Sequence, residues 1–198
     1  MLALLFEVTP TADGYQKYLD IAAALRPALD QQDGFLFIER YRSLSRPGTI
    51  LSHSLWRDEA SLAAWRTLEV HHRAQVAGRN SVFVDYRIRI AAVICARTAE
   101  SGDWQTSRLS SYRDPGAQAP RYVVITTSTQ ASSGAGTESF ESLSRPGQFL
   151  SLKEEGALSV AKAQLDSVTI SVRICEVERD YGMFDRREAP QYYPPVVR

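Results

Sequence analysis

The spacing of apolar residues along this chain changes in a regular order. Residues 2–8, LALLFEV, form a short apolar run closed by Thr9 and Pro10, the signature of a buried strand. From Thr11 to about Gln32 the period lengthens. Tyr15, Tyr18, Leu19, Ala22, Leu25 and Leu29 then share one stripe of a helix, with Pro27 late enough to loosen only its last turn. After Gly34, residues 35–44 return to alternation and place Phe35, Phe37, Glu39 and Tyr41 on one strand face. Ser45-Arg46-Pro47-Gly48 turns the chain, and residues 49–56 run back as the second arm of a hairpin. Asp58 stands at an N-cap position, Glu59 suits the first turn, and a second helix continues to about Gly78. A fourth strand, 81–97, sets Val82, Val84, Tyr86, Ile88 and Ile90 on one face and Asp85, Arg87 and Arg89 on the other, where the charges read as interface or solvated groups. The order β-α-β-β-α-β is the split βαβ, or ferredoxin-like, unit, an α+β fold.

Residues 98–119 are polar and turn-rich and read as a linker around one anchor, Trp104. The hexapeptide Ser43-Leu44-Ser45-Arg46-Pro47-Gly48 then recurs unchanged as Ser142 to Gly147, 99 residues later. A second echo pairs Ser81-Val82 and Arg87-Ile88 with Ser167-Val168 and Arg173-Ile174 at a spacing of 86. Repetition of this kind marks a duplicated structural unit. The copy, residues 120–178, carries strands at 121–130, 138–143, 148–153 and 167–178 and a stunted helix to about Leu165. Its segment ASSGAGT is too short and too rich in Gly and Ser for the first helix. Residues 179–198 read as a polar, Pro-rich tail along the surface.

Composition narrows the function. Lys plus Arg and Asp plus Glu are 23 each, so no net field draws nucleic acid or an anionic membrane, and a small aromatic or apolar molecule is the expected partner. The N-terminus has no basic region and its apolar run is too short for a leader or a span, so the expected location is cytoplasmic. Cys95 and Cys175 each sit in an apolar strand and read as free, buried thiols. The chain has no Gly-rich phosphate loop, G-x-S-x-G, CxxC or HExxH. His71 and His72 are adjacent and splay on a helix, so no metal is expected.

Two of the three tryptophans and all three histidines lie between Leu51 and Gly78. Seven helical residues advance the face by about 700°, nearly two full turns. His72 is therefore expected on the stripe of Trp65 with Leu68 between them, and His71 is expected in solvent. His53 alternates with Leu51 and Leu55 on its strand, and Tyr86 shares a face with Val84 and Ile88. If helices cover those faces, His53, Trp65, His72 and Tyr86 border one pocket, with His53, His72 and Trp65 as candidate catalytic residues and Tyr86, Tyr41 and Leu68 as candidate substrate contacts. The competing reading makes Trp65 and Tyr86 core packing and His53 a satisfied core histidine.

The run Leu55-Trp56-Arg57-Asp58-Glu59-Ala60, then Ala64-Trp65, His72, Gln75, Gly78-Arg79 and Phe83-Val84-Asp85-Tyr86-Arg87-Ile88, resembles the antibiotic biosynthesis monooxygenase family, as does the tail from Arg179 to Arg186 with Ala189-Pro190. The resemblance implies a dimeric α+β barrel in which two ferredoxin-like sheets pack together, here from one chain, with homo-oligomers allowed. It also implies cofactor-free oxidation of an aromatic or quinol-like substrate, a base removing a proton and the electron-rich anion meeting oxygen directly. The haem-degrading branch is disfavoured because Gln75 stands where that branch carries a ligating histidine, and Phe6 or Glu7 where it carries an asparagine. The anthrone-oxidising branch is matched at Trp65, but Ser61 replaces its asparagine, and Arg87 is the candidate for its arginine. The alternative is a non-catalytic ligand-binding or assembly module with an apolar patch over residues 131–165.

Overall fold

The structure is a computed structural model that describes residues 1–98, 100, 103–106, 121–158 and 169–190. Its strands are β1 (Leu2–Pro10), β2 (Phe35–Ser43), β3 (Ile50–Trp56), β4 (Phe83–Thr98), β5 (Gln105–Thr106), β6 (Tyr122–Ser128), β7 (Thr137–Ser142), β8 (Phe149–Glu155) and β9 (Thr169–Gly182). Helices α1 (Gly14–Asp30), α2 (Glu59–Thr67) and α3 (Glu69–Ala77) all belong to the first repeat, and a π-helical turn at 78–82 leads into β4. The expected helix ending near Leu165 lies outside the described residues, as do most of the linker and positions 191–198. Between β6 and β7 there is only a turn, so the second repeat does lack its first helix.

Every strand pairing is antiparallel, and the order β1-β3-β2-β7-β8-β6-β9-β4 closes on itself through β1 and β4. Each repeat contributes one four-stranded ferredoxin-like sheet, β4-β1-β3-β2 and β9-β6-β8-β7. The two sheets join edge to edge at β2–β7 and β4–β9 into an eight-stranded barrel, with β5 appended to β4. Closure removes the free edges that a lone ferredoxin-like sheet would present. The barrel closes within this one chain.

The duplicated hexapeptide forms a reciprocal clasp at the β2–β7 seam. Leu44 N–H donates to the Ser139 carbonyl at 2.9 Å, and Leu143 N–H donates to the Arg40 carbonyl at 2.9 Å. Arg46 reaches Glu138 at 2.5 Å while Arg145 reaches Glu39 at 2.8 Å, and Ser43 and Ser142 donate to the same two glutamates at 3.1 Å each. Each copy of the turn thus holds a carboxylate of the other copy. Gly48 and Gly147 end the turns at φ of +80° and +81°, where residues with a Cβ are disfavoured. The second echo is looser. Leu5 faces Arg89 in the register and Ile125 faces Arg173, so Arg173 is the counterpart of Arg89 rather than of Arg87, two residues away on the same face.

The barrel interior is packed with Leu5, Leu51, Leu55, Val93, Ile125, Phe140, Leu150 and Cys175 among others, as an eight-stranded barrel allows. It also holds an ion pair, Arg89 with Glu7, in which both partners are buried, and Arg46 reaches the same carboxylate from the clasp. Of the two expectations for Arg89, interface or solvated charge, solvation is corrected: its strand face turns inward, and Arg89 meets Glu7 of its own repeat and Glu154 of the other there. Cys95 and Cys175 are free and buried, on opposite sides of the barrel wall. Over residues 131–158 no large hydrophobic side chain is exposed, and Ser139 is tied to Ser151 and to the Ser132 carbonyl, so the apolar patch expected of an assembly module is absent among the described residues.

Candidate active site

Helices α1, α2 and α3 cover the outer face of the first sheet, and a cavity of about 200 Å³ lies between them and the strands. The face that lines it carries the even-numbered residues of β1 to β4: Leu4 and Phe6, Ile38 and Arg40, Ser52, Ser54 and Trp56, then Tyr86, Ile88 and Ile90. Strand alternation sends the odd-numbered residues into the barrel. His53 and Tyr41 therefore do not reach this cavity. His53 sits among barrel side chains with its ring edge on Phe37, its Nδ1 3.3 Å from the Leu4 carbonyl and its Nε2 buried without a hydrogen-bond partner. Burial, with help from the charge of Arg173, pushes its pKa down to about 4. Tyr41 is buried in the same interior, and burial together with the charge of Glu39 pushes its hydroxyl up to about 12. The common pocket expected for His53, Trp65, His72 and Tyr86 is thus split between two faces of one sheet. All seven residues of β3 are buried, so apolarity could not tell the faces apart, and it is the serine-bearing face that the helices cover.

Trp65 and Tyr86 do line the cavity, both nearly fully buried. His72 does not. The helix that was to carry Trp65 and His72 on one stripe breaks at Leu68. The Thr67 hydroxyl donates to the Ala63 and Ala64 carbonyls at 2.9 and 3.3 Å, and Leu68 swings to an extended conformation, ψ 130°, before α3 begins. The break resets the helical phase. His71 rather than His72 then lies against Trp65, stacked at 4.3 Å between ring centroids with 17° between planes, while His72 faces solvent. Leu68 is half-buried against the cluster of Trp56, Leu62 and Trp65 and caps α2 instead of contacting the cavity.

His71 is held firmly in the lining. Its Nδ1 lies 3.0 Å from the Trp65 carbonyl, an acceptor, and also faces the amide nitrogen of Gln75, a donor, so the ring is gripped at this one atom from two sides. Gln75 lies 3.1 Å from the same nitrogen and donates to the Arg66 carbonyl at 3.0 Å, buttressing the ring. Burial pushes the His71 pKa down to about 4, so the imidazole is neutral at physiological pH. At another part of the lining the Tyr86 hydroxyl accepts from two guanidinium groups, Arg79 Nη1 at 2.8 Å and Arg186 Nη1 at 3.0 Å. Both are donors only, so neither uses the phenol's own hydrogen. An aromatic set of Phe6, Tyr18 and Phe83 packs edge to face around this corner at 5.6–6.4 Å.

Arg186 comes from the segment expected to trail along the surface. Instead β9 runs on to Gly182 along β4, Met183 N–H donates to the Tyr86 carbonyl at 3.1 Å, and Tyr181, Arg186 and Pro190 join the cavity lining. The close approach needs Gly182, where a Cβ would stand 2.8 Å from the Tyr86 carbonyl oxygen. Six of the site residues, His71, Gln75, Arg40, Arg79, Arg186 and Trp56, were not assigned roles by sequence reasoning. The likeness of the tail, Arg179 to Arg186, to that of family members was the one available signal, and it bore on Arg186 alone.

No cluster of ligands for a metal ion occurs among the described residues, and no helix there is long and apolar enough to cross a membrane. Against known proteins, residues 1–77 match the sequence profile of the antibiotic biosynthesis monooxygenase family. The chain is 38% identical over 219 residues to the jasmonate monooxygenase ABM of Pyricularia oryzae, an alignment covering 99% of this chain and 100% of the relative. Solved structures similar to it include an anthrone oxidase-like protein, at 14% identity over 99% of this chain and 96% of that one with a TM-score of 0.41. Another is a conserved protein of Methanosarcina mazei, at 15% identity over 45% of this chain and 88% of that one with a TM-score of 0.42. With a relative so similar end to end, this chain belongs to the antibiotic biosynthesis monooxygenase family.

Proposed function

We propose that this chain is a monooxygenase of a small, mainly apolar ring compound bearing an acidic C–H or O–H, and that the reaction takes place in the cavity under α1, α2 and α3. One observation carries the reading: a neutral imidazole, His71, lines the same apolar cavity as the doubly anchored hydroxyl of Tyr86. His71 Nε2 removes the proton. Tyr86 donates to the substrate oxygen on which negative charge accumulates, with Arg79 and Arg186 holding the phenol in place. Trp65 and Trp56 flank the ring. The carbanion passes its electrons to O2, a C–O bond forms, and loss of water from the hydroperoxide breaks the O–O bond. A CH2 group becomes C=O, one oxygen atom enters the product, the other leaves as water, and the substrate itself is the reductant. The name of the Pyricularia relative, a jasmonate monooxygenase, supports oxygenation of a small molecule.

The test is oxygen uptake by the purified full chain with a panel of anthrones, hydroquinols and jasmonate. Uptake should fall about 100-fold or more in His71→Ala and stay near the parent rate in His72→Ala, whose side chain is in solvent. No uptake with any member, or equal rates in the parent and His71→Ala, overturns the proposal.

A further inference from the structure

We infer that the cavity selects an anion, a small apolar carboxylic acid whose carboxylate is held by Arg40. The inference rests on the reading that this cavity is the substrate site. In a chain whose charges cancel overall, the lining contains four arginines, Arg40, Arg66, Arg79 and Arg186, and no aspartate or glutamate. Three of the four are engaged. Arg66 faces Glu59 at 3.5 Å, and Arg79 and Arg186 hold the Tyr86 hydroxyl. Arg40 differs. Among the described residues its guanidinium has no carboxylate and no hydrogen-bond acceptor, its Nε is buried without a partner, and its only defined neighbour is the ring of Tyr18, 5.9 Å from the guanidinium carbon.

Arg40 is half-buried, and its buried Nε–H loses hydration that nothing in the protein replaces. A carboxylate restores it with two parallel N–H···O bonds, the geometry for which the planar fork is suited. Arg40 also lies opposite Ser52 in the β2–β3 register, on the cavity face, so a hydroxyl borders the same position. The remaining lining is largely aliphatic and aromatic, which suits the body of such an acid. Held at Arg40 and at Tyr86, the substrate meets the cavity at two polar points, and its orientation toward His71 follows.

Paired ligands test this. Jasmonate and two arylalkanoic acids would each be titrated against the full chain alongside the corresponding methyl ester, with binding followed by calorimetry and by the fluorescence of the cavity tryptophans. At least one acid should bind the parent about 10- to 100-fold more tightly than its ester, the range for hydrogen bonds to a charged group. In Arg40→Gln that gap should close through weaker binding of the acid, with the ester unchanged. Arg40→Lys should recover part of it. Circular dichroism and thermal melting establish that the variants are folded. Acids and esters binding alike across all three pairs, or no binding by any acid, overturns the inference, as does an acid preference that survives in folded Arg40→Gln. The readout does not depend on turnover. A carboxylate preference without oxygen uptake refutes only the oxygenase reading, and uptake with no preference for acids refutes only the anion site.

Discussion

His71 has a pKa depressed by burial, and this sets how activity should respond to acid. An imidazole in solvent would titrate near 6.5, whereas burial holds His71 near 4. The base therefore stays competent through the whole neutral range, and the acid limb of kcat/KM should lie near pH 4–5 rather than 6.5. A limb at 6.5 would point away from His71. Gly34 supplies a second test at this scale. Its φ is +78°, and a Cβ there would stand 2.1 Å from Ser61 Oγ, so it approaches the first turn of α2 where Asp58 caps the helix by accepting from Ser61 N–H at 2.8 Å. Gly34→Ala should destabilise the fold by about 1–3 kcal/mol through strain at positive φ and the clash. Asp58→Ala should also lower the denaturant midpoint through the lost cap. Both are read from denaturant midpoints.

At the scale of elements, what could be read from the chain depended on how sharply a local rule was written. Alternation in Phe35–Tyr41, the Pro-Gly turn and the Asp58 cap each have one physical meaning, and the hairpin and the start of α2 follow from them. The repeated hexapeptide likewise pointed to two units. The rule failed where two forces compete within a few residues. Thr67 has a hydroxyl that can serve the carbonyls of its own helix, and nothing in the apolar stripe signals that it will end α2 there. One residue of extended chain at Leu68 then exchanges the roles of His71 and His72. The face of β3 was illegible for a different reason, since a strand buried on both sides carries no amphipathic signal, and its serines were on the cavity side. The tail was placed on the surface by its composition, which cannot register the backbone pairing of β9 with β4. That pairing is testable. Gly182→Ala places a methyl against the Tyr86 carbonyl and should lift the 181–190 segment from the cavity. The expected result is a lower melting temperature with ligand affinity reduced as well, whereas an exposed glycine in a loose tail would change neither.

For the molecule as a whole, acid should be more damaging than its balanced charge suggests. His53 and His71 both titrate near 4 when folded and 6.5 when unfolded, so below 6.5 the unfolded chain takes up protons that the native chain does not. Each histidine then costs about 3 kcal/mol by pH 4. Glu7 adds to this lower down. Burial raises its pKa, but Arg89 and Arg46 outweigh burial and hold the carboxyl below its ordinary range, so the stability it contributes is lost as pH falls through that depressed value. Chemical denaturation from pH 7.5 to 4 should show a decline beginning near 6.5. A flat profile down to pH 5 would show that the histidines are not neutral in the native state. Replacing His53 with a leucine, the residue its counterpart Leu152 already provides at the matching register position, should remove about half of the early decline.

The clasp at the β2–β7 seam has a further consequence, which concerns how the two halves can diverge. When two identical chains form such a barrel, every substitution appears twice, related by the symmetry axis, and a change that suits one side is imposed on the other. Joining the copies lifts that constraint. Arg46 and Arg145, Glu39 and Glu138, and Ser43 and Ser142 still obey the old symmetry, because each exchange crosses the seam. Away from it the halves are released. Leu152 answers His53, Ser139 answers Arg40, and a short turn answers α1. One half can thus shed its first helix while the other specialises without carrying a mirror image of every change.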